Sequence, residues 1–441
     1  MISVFRFWSR SSTWGICYRV LTASGGLILV VLVPLYTTVE EQGLYYSLLA
    51  LSSLYVIFEL GLNAAIINFM SHQLIDGPSG RQRNTRRVCL ANQSRLLWFV
   101  TKWILAGVVL TAISVFGFGL YAFGNFFSSY PNLVPSLGMV AISTGLSLFF
   151  FAALAVMDGY NKMVEAFKYR ILYMSAFLLI QFSLLIGGLS FMALALSQLL
   201  ALLLLLPLVF LRNFTPYKRV LSFTMGPATI DIRNQVLPFQ RRVAISWIFG
   251  FMPLQMMPIF LLNGLGPEWA GRFGMTQQVL NSLSATAFVF VQTKIPNMGI
   301  LISKAKMKEA IQLYRQGMKE SMLVSFVLIT GILAVLWLTT FFGLTVIERL
   351  LPLSMFISIS IIVMAQSLTF SRATFLRVNH IEVFAPTVLG GIILFLVLGL
   401  FSGSIGVWGV IALLVGEKLI VGVFWGGFIF RRYFDVFLAR V

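Results

Sequence analysis

Apolar residues gather in about twelve long runs along this chain of 441 residues, with short polar connections between them. Each run approaches the roughly 20 residues that a helix needs to cross hydrocarbon. In the first half the runs cover 17–36, 43–67, 96–121, 136–157, 169–188 and 190–211. In the second half they cover 243–262, 273–292, 321–342, 353–371, 383–401 and 405–429. Open strands would leave backbone groups unpaired in lipid, so each run is predicted to be a helix. The pattern therefore predicts an all-α polytopic membrane protein with twelve transmembrane helices. Residues 17–36 lack a small-residue cleavage site and are long enough to span, so they are read as a retained first helix.

The charges check these runs independently. Lys and Arg number 32 against 14 Asp and Glu. With residues 1–15 in the cytoplasm, connections alternate sides, and 29 of the 32 basic residues fall on cytoplasmic connections or helix ends. Arg272 and Arg349 fall on the outer side, and Lys418 lies inside the last run. The expected location is a bacterial inner (cytoplasmic) membrane, with both termini cytoplasmic. Hydrophobic residues make up 59% and charged ones 10%, which excludes a soluble domain, where charged residues run at about 25%. The net charge of +18 does not point to nucleic acid, because the basic residues are scattered over seven short segments. Such loops fix topology and touch anionic headgroups, so membrane lipids are the expected contact. Cys17 and Cys89 have no CxxC spacing, so neither a disulfide nor a metal or redox motif is expected. His72 and His380 sit at predicted cytoplasmic helix ends, where interfacial packing, ahead of a proton relay, accounts for them.

The halves look alike. Arg19-Val20 opens the first run with Pro34 near its far end, and Arg242-Val243 opens the seventh with Pro258. Gly43 begins the second run after a short outer turn, as Gly271 precedes the eighth. Six runs per half give both copies one orientation, with the symmetry axis along the membrane normal. The expected organisation is a lobe at 1–212, a cytoplasmic linker at 213–242 and a second lobe at 243–441. Within the inner loop 303–319, Met307, Ile311 and Tyr314 recur at helical spacing and predict an amphipathic surface helix, either a gate lever or a plain connector.

Polar residues inside the runs are the candidate chemistry. Ser52, Tyr55, Glu59 and Asn63 are spaced for one face of the second helix, and Gln277, Asn281 and Ser284 for one face of the eighth. Facing lipid would be costly, so both stripes should face a central cavity or bond neighbouring helices. An isolated mid-span carboxylate at Glu59 suits reversible binding of H+ or Na+, or static pairing with a cation. Glu417 and Lys418 are adjacent, about 100° apart on a helix, so they should face different partners. A central Lys costs roughly 2.5–3.5 kcal/mol, to be offset by a carboxylate on another helix or by an anionic ligand. Arg19 and Arg242, as repeat equivalents near the cytoplasmic interface, either snorkel to headgroups or grip phosphate. Walker loops, HExxH, GxSxG and metal-spaced clusters are missing from the sequence, so neither an enzyme nor a cofactor is expected.

Glu59-Leu60-Gly61-Leu62 resembles the acidic-Leu-Gly-Leu signature of polysaccharide-type transporters. The stretch Ala244 to Pro296 is similar to the same group's second half, through Gly264, Pro267, Ala270-Gly271, Gly274-Met275-Thr276 and Pro296. On these motifs the chain resembles Wzx-type O-antigen flippases of the multidrug/oligosaccharidyl-lipid/polysaccharide exporter superfamily. The resemblance implies a MATE-like fold, two six-helix lobes around a central cavity that opens alternately to each side. It implies as cargo an oligosaccharide unit on undecaprenyl pyrophosphate, moved from the cytoplasmic to the periplasmic leaflet, and glycan polymerase or assembly proteins as partners. Cavity residues would be Arg19, Arg242, Gln277, Asn281 and Lys418, and the coupling-ion or proton residues Glu59 and Glu417. Few charges lie in mid-span, so which cation meets the pyrophosphate stays open. The rivals are a drug/cation antiporter, which would want more cavity carboxylates, and a polymerase or ligase, which would want a large outer loop. Asp76-Gly77-Pro78-Ser79-Gly80-Arg81 fits the major-facilitator loop motif poorly.

Overall fold

The computed structural model describes residues 2–75, 83–160, 162–221, 230–303, 306–341, 348–378 and 387–438, and among these it contains helices and turns but no strand. In chain order the helices are α1 (Ile2–Tyr36), α2 (Val39–Ser52), α3 (Tyr55–Glu59), α4 (Leu62–Ile75), α5 (Arg83–Phe123), α6 (Leu133–Gly159), α7 (Met163–Ile186) and α8 (Met192–Leu221). They continue with α9 (Leu237–Gln255), α10 (Met257–Leu265), α11 (Pro267–Gln292), α12 (Ile295–Ser303), α13 (Met307–Phe341), α14 (Leu353–Val378), α15 (Thr387–Glu417) and α16 (Gly426–Leu438). A π-helix, Lys418–Trp425, joins the last two.

Among the described residues, eight helices are long and apolar enough to cross a membrane. The chain is a multi-pass membrane protein. The count differs from twelve for identifiable reasons. The second run is cut into α2, α3 and α4: a turn at Ser53-Leu54 ends α2, and Leu60 (φ 48°) and Gly61 (φ 67°) take left-handed backbone, which ends α3 before α4 begins. The seventh is cut at Met256, two residues before Pro258, which has no N–H to extend the ladder. The eighth, α11, is unbroken but too polar to qualify, with Arg272, Gln277, Gln278 and Asn281 along it. The last two runs form one stretch, Leu389–Asp435, folded at Gly406 (φ 67°). The expected surface helix in the inner loop is instead the first part of α13, continuous with the ninth run. Its Ile311 and Tyr314 are buried against Phe375, Phe430 and Phe434, so that face meets protein rather than headgroups.

The chain divides into two compact units, residues 1–18 with 51–248, and residues 19–50 with 249–441. These cut the chain elsewhere than 212 and 243: α1, the second run and α9 each begin in one unit and end in the other.

In the first unit, Leu62, Ile66 and Met70 of α4 pack on Leu96, Leu97 and Val100 of α5 and on Ala152, Ala155 and Val156 of α6. Small residues on α6 let the helices approach closely, the main source of attraction between helices in lipid. A Cβ on Gly159 would stand 2.7 Å from the Met70 Cβ. Ile230 and Val236 complete this core, and the Ile230 N–H donates to Asn92 Oδ1 at 3.0 Å. The end of the 213–242 linker is thereby docked on α5. Asp231 accepts from the Arg233 and Asn234 N–H groups (2.9 and 3.2 Å), and the bonds from Asn234 hold its carboxyl below the usual range. Between α6 and α7, Arg170 donates to the buried Asp158 Oδ2 at 2.6 Å.

In the second unit, glycines set the spacing between α2 and α11. A Cβ on Gly43 would stand 2.1 Å from the Pro267 carbonyl oxygen, and one on Gly271 would stand 3.0 Å from the Gly43 nitrogen. One turn further along, a Cβ on Gly274 would stand 2.4 Å from the Tyr46 Cβ. Gln42 Nε2 donates to the Arg349 carbonyl at 3.2 Å, and the Leu351 N–H donates to Thr276 Oγ1 at 3.1 Å.

Asp158→Ala should destabilise the protein by about 3–5 kcal/mol, because it leaves the Arg170 guanidinium buried and unpaired. Thermal unfolding in detergent measures this. Asp158→Leu combined with Arg170→Met should recover most of the loss.

Candidate functional site

α11 runs unbroken beside α2 and the α9–α10 junction, and a small recess opens among them. Its walls are Tyr46, Leu49 and Ala50 of α2, Gln255 and Pro258 at the junction, and Gly274, Gln277, Gln278 and Asn281 of α11. Each wall has a local cause. The absent side chain of Gly274 lets Tyr46 lie against α11. The break before Pro258 turns Gln255 inward, and Ser47 Oγ donates to the Pro258 carbonyl at 3.3 Å. Gln277 Nε2 donates to Gln255 Oε1. The buried Tyr46 hydroxyl has no hydrogen-bond partner. The lining thus holds four carboxamides and a phenol, with no carboxylate and no cation. Chemically it offers donors and acceptors in nearly equal measure to a neutral polar group, with an aromatic ring beside them.

Of the predicted residues, the structure brings Gln277 and Asn281 together in this recess. Ser284, the third of that stripe, instead donates to Gln366 Oε1 of α14 at 3.3 Å and bonds helix to helix. The other stripe does not form one face. Ser52 ends α2, Tyr55 and Glu59 bound the five-residue α3, and Asn63 lies in α4 beyond the left-handed pair Leu60-Gly61. Periodicity assumed a continuous helix, and the backbone reverses hand there. Tyr55 stacks on Phe151 at 5.6 Å. Glu59 accepts the Asn63 backbone N–H and so caps the start of α4. The Asn63 Oδ1 is buried without a partner. Trp103 of α5 donates its indole N–H to the Phe58 carbonyl (3.4 Å), a group that the break would otherwise leave unpaired.

Glu417 and Lys418 do not seek separate partners. Lys418 Nζ lies 2.8 Å from Glu417 Oε2, and both side chains are largely buried. The 100° offset applies at the Cα atoms, and two long stems meeting where the π-helix begins can close it. The same ammonium reaches the Gly250 carbonyl at 3.4 Å, in α9 just before Pro253. Arg19 is half-buried in α1, where the chain enters the second unit. Arg242 belongs to α9 in the first unit, and its side chain lies outside the described residues.

Tyr46, Gln255 and Gln278 were not among the predicted site residues. Gln278 adjoins a predicted residue but sits off the helical stripe, and Tyr46 and Gln255 lie in apolar surroundings. Signals existed in the glycine three residues before Gln277 and in Pro253 and Pro258 flanking Gln255.

No family model matches the sequence, and no curated protein matches it. Solved structures do resemble it. The MATE multidrug transporter DinF-BH in complex with R6G is 15% identical with a TM-score of 0.59, covering 98% of this chain and 96% of that one. The outward-facing conformation of a multidrug resistance MATE family transporter of the MOP superfamily is 12% identical with a TM-score of 0.61, covering 96% and 95%. An inward-facing conformation of such a transporter is 13% identical with a TM-score of 0.56, covering 93% and 98%. The fold is that of MATE transporters.

Trp103→Phe keeps the ring but removes the donor to Phe58, an expected cost of about 1–3 kcal/mol for a buried carbonyl left unpaired. Hydrogen exchange should report it as faster exchange confined to the amides around 59–63.

Proposed function

We propose that this chain is a membrane transporter that flips a polyprenyl-pyrophosphate-linked oligosaccharide from the cytoplasmic to the outer leaflet by alternating access. A MATE-transporter fold supports transport rather than catalysis. The observation that carries the choice of cargo is the neutral lining of the recess. An organic cation would want a carboxylate to offset its desolvated charge, and Tyr46, Gln255, Gln277, Gln278 and Asn281 supply none. Sugar hydroxyls both donate and accept, as carboxamides do, and the Tyr46 ring gives an apolar wall for a sugar face. The recess is narrower than a ligand pocket, so in this conformation it would take a sugar hydroxyl, and a whole ring would need it to widen. The polyprenyl tail stays in lipid. Arg19 and Arg242 are the proposed contacts for the pyrophosphate, with Lys418 a further cation whose charge Glu417 already offsets. Glu59 is the proposed coupling residue for H+ or Na+, placed at the break in the second run where a cap can be gained or lost. A multidrug reading rests on the neighbours' own descriptions, and susceptibility assays separate the two.

Deletion should abolish long surface glycan and accumulate lipid-linked units on the cytoplasmic leaflet, with drug susceptibility unchanged; intact glycan with altered efflux would overturn the proposal. In complementation, Gln277→Ala and Asn281→Ala should each lower export about tenfold, equivalent to about 1.4 kcal/mol. Arg19→Ala and Arg242→Ala should also reduce export while the protein stays inserted. Glu59→Gln should weaken export and its dependence on the ion gradient, and an unaltered dependence would leave Glu59 as a helix cap only.

A further inference from the structure

Gly43 and Gly271 occupy matching places in the two halves, each at the start of the second run after a short turn. In the structure they pack against each other. Gly271 would set a Cβ 3.0 Å from the Gly43 nitrogen, and Gly43 would set one 2.1 Å from the carbonyl oxygen of Pro267. Both obstacles are backbone, which cannot swing aside as a side chain can. Neither glycine has a left-handed φ, so space alone demands the residue at these two positions. Polar bonds hold the contact shut: Gln42 Nε2 reaches the Arg349 carbonyl at 3.2 Å, and Thr276 Oγ1 accepts from Leu351 N–H at 3.1 Å. The recess begins one turn deeper, at Tyr46 on α2 and Gly274 on α11. A group held there could not leave along α2 and α11 toward this end without parting the two glycines.

We propose that the Gly43–Gly271 contact is the closed gate at the end of the protein poor in Lys and Arg, and that the missing side chains set how readily it stays closed. The proposal rests on the transport reading above, but its packing does not depend on the cargo. Two bare backbones in contact gain dispersion along their length and lose no side-chain entropy on closing. One methyl group at position 43 would hold α2 and α11 apart. The equilibrium would then move toward the state open at that end.

The test uses the full chain with Cys17→Ser and Cys89→Ser, and Leu49→Cys as a reporter in the recess. A membrane-impermeant maleimide is applied from the outer side. Adding Gly43→Ala should raise labelling about tenfold, whereas Gly124→Ala, with open space around its Cβ, should leave it unchanged. A second variant joins the gate covalently without filling either glycine. Gln42 Nε2 lies 3.5 Å from Met275 Sδ, so the side chains at these two positions face each other across α2 and α11. Gln42→Cys with Met275→Cys should therefore cross-link on oxidation, abolishing outer labelling and surface glycan, and both should return with reductant. Outer labelling that survives the cross-link overturns the proposal, as does parental labelling of an inserted Gly43→Ala variant. Where Gly43→Ala fails to insert, the cross-link decides. A labelling response with no change in surface glycan supports the gate and overturns the glycan reading.

Discussion

Hydrocarbon offers no hydrogen bonds, so each N–H and C=O that crosses it must find its partner within the protein. An unbroken helix meets this demand alone. A broken one must borrow a group from a neighbour, and the loans here are visible. Trp103 gives its indole N–H to the Phe58 carbonyl beside the left-handed pair Leu60-Gly61. Ser47 gives its hydroxyl to the Pro258 carbonyl beside the break at Met256. In the π-helix, whose ladder is offset, Arg372 donates to the Val423 carbonyl at 2.8 Å. Irregular backbone therefore occurs where another helix already stands close enough to lend a donor. Two of these places carry the groups of interest, Glu59 and the Gln255 wall of the recess.

The same constraint governs charge. Asp158 meets Arg170 across one helical hairpin, Lys418 meets Glu417 next to it in the chain, and Arg272 meets Glu268 at 2.7 Å on one turn of α11. Local pairing of this kind lets a cation remain in an apolar run without help from a distant helix. None of these ion-paired residues lines the recess, whose own chemistry rests on amides. A site built from carboxamides selects by the pattern of donors and acceptors rather than by sign of charge.

Much of the fold was legible because length, apolarity and positive charge act on whole runs, and about two or three residues more or less in one run do not change the reading. Legibility failed where a single residue decides. Leu60 is an ordinary apolar residue in an apolar run, yet its left-handed backbone separates Tyr55 and Glu59 from Asn63, and the turn at Ser53-Leu54 already sets Ser52 apart. Gln277 and Asn281 were readable because α11 keeps its period, whereas Tyr46 enters the recess only because Gly274 leaves it room. The pairing of Glu417 with Lys418 was misread because helical angles describe where a side chain starts, not where five bonds can carry it. The amphipathic period at 307–314 was real, but its apolar face is covered by Phe375, Phe430 and Phe434.

Leu105, Ile113, Leu179, Leu211, Trp337 and Leu400 are apolar and outward-facing, each more than half exposed. At such positions any lipid-compatible residue serves nearly as well as another, so substitutions there accumulate without penalty. The letters can then differ widely while the backbone path is alike, and chains 12–15% identical superimpose over nearly their whole length. For a protein of this kind, likeness of fold is better sought in spacing between helices than in matched residues.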